Sequence, residues 1–212
     1  MKLTMTAAQA VTLSKAIAPA ISKDKVKQNL ICVQIQPVTG ERGEIDTAVQ
    51  FTSTDGYRLH IVTVELPEHD WMDTVLVYGA ELVKVLQAAA KADKTGKVSI
   101  QCEGHGAPAV MVTNGDRFVQ CVDMNNYVTF PNVDSLIGTD NEAELPASFN
   151  GYYLSDLMAA GQLVGEHGTG KGQIGRPVRV ESIQSRRCAR FTAESLDGSL
   201  TFTALLMPQR VA

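Results

Sequence analysis

The sequence predicts an α+β protein made of three repeated strand–helix–three-strand units, with the helices on one face of antiparallel sheets. Two observations carry this. A strand-and-helix pattern returns every 72 residues, and each predicted helix is followed by β-rich stretches that alternate apolar and polar residues and turn at Asx-Gly pairs.

The first unit opens on Leu3-Thr4-Met5, read as a short strand, and continues as an apolar-periodic helical run from Ala7 to Ile21. Thr6 and Gln9 form a T-x-x-Q capping box, which satisfies orphan N–H groups of the first turn and fixes where the helix starts. Seventy-two residues on, Val75-Leu76-Val77 and Tyr78-Gly79 precede the helical run Ala80–Ala90. A further 72 residues on, Ser148-Phe149-Asn150-Gly151 precede the run Tyr152–Ala160. Met5, Val77 and Phe149 close the strand; Ala10, Leu82 and Leu154 begin the apolar face; Leu13, Val85 and Leu157 continue it, with Ala16, Ala88 and Ala160 in phase.

Strands are predicted within Asn29–Val38 and Thr47–Leu66, then Val98–Glu103 and Ala109–Phe130, then Pro177–Gln184 and Cys188–Met207. Val49-Gln50-Phe51-Thr52 and Phe202-Thr203-Ala204-Leu205 alternate at the strand period, and Asp55-Gly56, Asn114-Gly115 and Asp197-Gly198 supply the hairpin turns.

With 212 residues, 44% apolar and 20% charged, the chain can bury a core without disulfides or metals. It has no apolar run long enough to span a bilayer, and its N-terminus lacks the apolar region of a secretory signal, so a cytoplasmic location is expected. Cys32, Cys102, Cys121 and Cys188 lie far apart, and His60, His69, His105 and His167 form no H-x-x-x-H pair; reduced thiols and no metal site are expected. Gly165–Gly172 fits G-x-x-x-x-G-K, yet Gly172 stands where a phosphate loop needs Ser or Thr, and a helix precedes it where that loop needs a strand. No G-x-S-x-G or other catalytic constellation is visible, so neither an enzyme nor a cofactor is expected.

Four segments carry a family resemblance. Thr54-Asp55-Gly56-Tyr57-Arg58-Leu59 resembles the T-D-G-[HY]-R-L signature of the bacterial β sliding clamp, the DNA polymerase III β subunit. Phe130-Pro131 resembles the family's domain-closing F-P, and Phe149-Asn150 with Tyr153-Leu154-Ser155-Asp156-Leu157 resembles its F-N-x-x-Y-[LV]-x-D-[LV] helix start. Leu206-Met207-Pro208-Gln209-Arg210-Val211 resembles its closing V-M-P-M-R-L, with Gln209 departing from the usual Met. The chain is shorter than a family chain, as in a bacteriophage-encoded member. The resemblance implies the DNA-clamp fold, with residues 1–137 (units 1–72 and 73–137) like the family's middle domain and 138–212 like the last half of its third domain.

It further implies a processivity factor that encircles double-stranded DNA and docks short hydrophobic peptides of DNA polymerase, clamp loader and repair proteins. Carried over position by position, the peptide groove is Thr54, Gly56, Tyr57, Arg58, Leu59, Pro131, Leu205 and Met207. Helices that line a ring should carry its basic residues, here Lys15, Lys23, Lys25, Lys27, Lys84, Lys91, Lys94, Lys97, Lys171 and Arg176. Residues 6–27, 79–97 and 150–176 hold these ten against five acidic residues, while the rest holds nine against eighteen. Lysines on flexible stems attract phosphates without reading bases, which suits sliding. The family's ring holds twelve such units, with the two units of a domain related by an approximate two-fold, so the resemblance implies that chains of three units close it as a homotetramer of dihedral symmetry before a dimer. The alternative is a clamp-shaped adaptor or decoy that keeps the groove without encircling DNA.

Overall fold

The computed structural model describes residues 1–40, 45–102, 109–114, 117–122, 124, 127–133, 148–169, 175–182 and 188–209. Unit 1 comprises β1 (Lys2–Thr6), α1 (Ala7–Ile17), β2 (Cys32–Thr39), β3 (Ile45–Thr54) and β4 (Arg58–Glu65). Unit 2 comprises β5 (Val75–Tyr78), α2 (Gly79–Ala92), β6 (Lys97–Cys102), β7 (Ala109–Asn114) and β8 (Arg117–Val122). Unit 3 comprises α3 (Gly151–Gly165), β9 (Arg179–Ser182), β10 (Ala189–Glu194) and β11 (Leu200–Leu206), opened by a bridge of Ser148 to Gln209.

The helix starts follow the repeat, with Thr6, Tyr78 and Asn150 as N-caps. The capping box is formed: Gln9 N donates to Thr6 Oγ1 at 3.1 Å and Thr6 N donates to Gln9 Oε1 at 2.8 Å. Asn150 Oδ1 accepts from Tyr152 N at 2.9 Å, whereas Tyr78 caps α2 without a side-chain bond. One boundary differs from the sequence expectation. α1 stops at Ile17 and does not run to Ile21, because Pro19 has no N–H to give and the chain tightens into a 3-10 turn over Ala18–Ala20.

Units 1 and 2 exchange their first strands. β1 pairs with β6, placing Met5 opposite Val98, and β5 pairs with β2, placing Val77 opposite Val33. This yields a four-stranded sheet in the order β1-β6-β7-β8 and a seven-stranded sheet in the order β5-β2-β3-β4-β11-β10-β9. The antiparallel pair β4–β11 stitches unit 1 to unit 3, with His60 opposite Ala204 and Leu59 opposite Leu205.

Strand alternation divides the apolar residues between two faces. Val62, Val64, Phe202 and Leu206 join Leu13, Trp71, Leu82, Leu86 and Leu157 in the main core beneath the helices. On the opposite face, Leu59, Ile61 and Leu205 gather with Cys32, Leu76, Phe130 and Val133 in a second, smaller cluster.

Candidate functional site

The hairpin between β3 and β4 is locked by its own side chains. Asp55 Oδ1 accepts from Tyr57 N at 3.0 Å and from Arg58 N at 3.1 Å, the side chain standing in for a backbone turn. Thr54 Oγ1 donates to Arg58 O at 2.8 Å and accepts from Gly56 N at 3.2 Å. Gly56 sits at φ +92°, a left-handed conformation that a side chain strains.

Arg58 is held on three sides. Its Nε donates to Asp55 Oδ2 at 3.0 Å, its Nη1 donates to Asp156 Oδ2 at 2.7 Å, and its guanidinium lies 4.5 Å from the Tyr153 ring centre. Tyr153 also stacks on Tyr57, with ring centres 6.0 Å apart. Arg58 therefore commits its Nε and Nη1 within the chain, across the joint between units 1 and 3.

The tail after β11 runs beside this hairpin, Met207 N donating to Tyr57 O at 3.0 Å. Leu59 and Leu205 face each other as buried residues, with Phe130 and Val133 packed in the same cluster. Tyr57 and Met207 stand above them, 56% and 48% exposed, with Pro131 partly buried. The sequence-assigned groove residues Thr54, Gly56, Tyr57, Arg58, Leu59, Leu205 and Met207 thus share one joint, and Pro131 adjoins it through Phe130. Val133 and Tyr153 were absent from the assigned set; the F-P and F-N-x-x-Y segments that contain or adjoin them were the available signal.

The nine described basic residues expected to line a ring are all exposed, and Lys171 lies outside the described residues. They do not form one group. Lys15 is on α1 and Lys84 and Lys91 are on α2, on faces turned from the sheets. Lys27 Nζ instead lies 6.0 Å from the Tyr57 ring centre, beside the hairpin. Lys25 lines a cavity of about 480 Å³ with Gln28, Ile31, Tyr78, Met124 and Tyr127, bordering the smaller apolar cluster. Arg176 pairs with Glu194, which neutralises it. Among α3 residues there is no Lys or Arg.

Burial pushes the Cys32 thiol up to about 11 and raises that of Cys188, so neither is a ready nucleophile. α3, not a strand, precedes the Gly165–Gly172 stretch, whose residues 170–172 lie outside the described residues.

The architecture is that of the DNA sliding clamps. The chain superposes on the Caulobacter crescentus sliding clamp with a TM-score of 0.72 at 16% identity, covering 99% of this chain and 65% of that one. The Pseudomonas aeruginosa sliding clamp, solved with a ligand, gives 0.68 at 15% identity over 100% of this chain and 66% of that one. The A. fulgidus PCNA, bound to the C-terminal region of FEN-1, gives 0.64 at 12% identity over 100% of this chain and 99% of that one. The chain resembles the bacterial DNA polymerase III β clamp in shortened form, spanning about 65% of the length of such clamps. No protein-family model matches the sequence, and no curated protein matches it.

Proposed function

We propose that this protein is a DNA sliding clamp: a non-catalytic processivity factor that encircles duplex DNA and docks hydrophobic peptides of polymerase, loader and repair proteins. The observation that carries this reading is the β4–β11 joint, where two segments far apart in sequence, Thr54–Leu59 and Leu205–Met207, meet over one apolar floor. A left-handed glycine turn allows close approach, Met207 adapts its shape, and buried leucines and Phe130 supply apolar area. Residues 1–137 act as a complete clamp domain and 138–212 as half of one. The basic faces of α1 and α2 turn toward the duplex.

A fluorescent peptide carrying a polymerase clamp-binding motif tests the groove. The parent should bind with roughly micromolar affinity, and Met207→Asp should weaken binding about tenfold or more by placing a carboxylate in an apolar contact. Equal affinity in a folded Met207→Asp protein would remove this joint as the groove. One observation favours a second reading, an adaptor that keeps the groove without encircling DNA: α3 carries no basic residue. Retention on nicked circular DNA, lost when the circle is linearised, separates the two.

A further inference from the structure

Unit 3 is the one repeat whose mate is missing from the described residues, and its two uncovered surfaces are those that units 1 and 2 cover for each other. The first surface is a sheet edge. In unit 1, Ile35 on β2 pairs with Phe51 on β3 and is fully buried, because β5 brings Val75 against its other side. In unit 3, Val180 on β9 pairs with Phe191 on β10 in the same way, yet among the described residues β9 is the sheet edge, and Val180 is 52% exposed. The segment at Ser148 likewise has its bridge to Gln209 on one side but, among the described residues, none of the mate pairing that β1 and β5 make.

The second surface is a helix side. α1 lies between α2 and α3. Thr12 Oγ1 meets His167 Nδ1 at 3.1 Å beyond the end of α3, so the opposite side of α1, bearing Ala10 and Ser14, faces α2. Their repeat counterparts on α2 are Leu82 and Leu86, and all four are buried. The counterparts on α3 are Leu154, only partly buried, and Met158, 39% exposed. No charged residue sits on this side of α3, where Gly151 and Ser155 complete the row. A uniformly uncharged helix side and a strand paired along one edge only among the described residues make a poor solvated surface and an ordinary buried one.

We infer that this face of unit 3 binds unit 3 of a second copy of the chain, so that two chains build one complete clamp domain by exchanging Ser148–Asn150 strands across β9 and packing α3 against α3. The occupant follows from the chain itself. Units 1 and 2 cover each other reciprocally, Met5 on Val98 and Val77 on Val33, and a reciprocal contact between repeats is one that a repeat can make with its own copy. The edge strand then gains a partner and Val180 and Met158 lose their exposure together.

The inference rests on the repeat geometry and not on the reading of DNA or peptide binding. A chain that pairs yet slips from circular DNA would fail that earlier reading alone. Light scattering on the full chain is the test, with parent, the double variant Met158→Glu/Val180→Glu, and Met158→Cys treated with a short bismaleimide. The parent should have a mass that is an even multiple of 22.8 kDa. The double variant, with unchanged circular dichroism, should fall to half that mass or less, and Met158→Cys should give a crosslinked band at twice the chain mass that the parent lacks. A parent that stays at one chain mass as concentration rises, or forms an odd multiple, overturns the inference and leaves the face to a different protein. An oligomer whose mass the double variant keeps, or in which Met158→Cys does not crosslink, overturns it equally.

Discussion

Arg58 Nη1 donates to Asp156 Oδ2 at 2.7 Å, and this contact ties the hairpin of unit 1 to the helix of unit 3. It sits on the same joint as the Leu59–Leu205 pair, so the apolar floor and the ionic clasp depend on one register between β4 and β11. The Arg58 side chain is largely buried and bonds one carboxylate through Nε and another through Nη1. Its role in this chain is to hold the joint.

Removing that clasp should cost stability unequally from its two ends. Arg58→Ala loses both carboxylates and the Tyr153 stack, and should lower unfolding free energy by about 2 kcal/mol in urea titration. Asp156 is half exposed, so Asp156→Ala should cost about 0.5 kcal/mol. Equal losses from the two variants would mean that the Asp55 and Tyr153 contacts contribute nothing.

Gly56→Ala isolates backbone strain at the turn. The added Cβ would meet only Leu30 Cδ1 at 3.7 Å, an ordinary contact, so the penalty comes from φ +92°. A loss of about 1 kcal/mol is expected, read from the urea midpoint at constant slope. An unchanged midpoint would show that the turn relaxes out of the left-handed region.

The repeat, the Thr6 capping box and most strands were legible because each is local: the helix starts return at the repeat spacing and alternation marks the strands, although the strand expected at Ser148-Phe149 is only a bridge. The meeting of the proposed groove segments was legible only as a resemblance, since nothing in Thr54–Leu59 alone says that Leu205 lies opposite Leu59. The end of α1 was misjudged because apolar spacing continues through Ile21 while Pro19 cuts the hydrogen-bond ladder. The lysines after α1 were grouped with the helix by sequence proximity, but the chain turns at Lys27 and carries that residue to Tyr57. Strand exchange between units was invisible to periodicity, which describes faces and not partners.

His60 should make the fold acid-sensitive. It is fully buried between α1 and β11, its Nδ1–H donating to Ala16 O at 2.8 Å and its ring meeting Phe202 edge-on. Burial lowers its pKa to about 4 from 6.5. The unfolded chain then binds more protons than the folded one between those values, so stability holds above about pH 6.5 and falls as pH drops toward 4. The full loss is on the order of 3 kcal/mol. His60→Gln should have a shallower decline in urea midpoint between pH 7 and pH 5 than the parent. Parallel declines would assign the acid sensitivity to other groups.

Duplex attraction through the helices makes the last prediction. Lys84 and Lys91 project from α2 and Lys94 follows it in the loop, all exposed, with no strand or turn of the apolar groove near them in sequence. Replacing the three by Glu reverses three charges, a change of six in local net charge. Retention on circular DNA should fall at low salt, and the slope of log retention against log salt should flatten by about 3 if each lysine displaces one phosphate counterion. Peptide affinity should stay at the parent's value, because the apolar cluster under the proposed groove lies on the opposite face of the sheet from the helices. If retention and slope both match the parent, α2 does not face the duplex; if peptide affinity falls as well, the charge reversal has disturbed the fold and Lys84→Gln alone becomes the sharper probe.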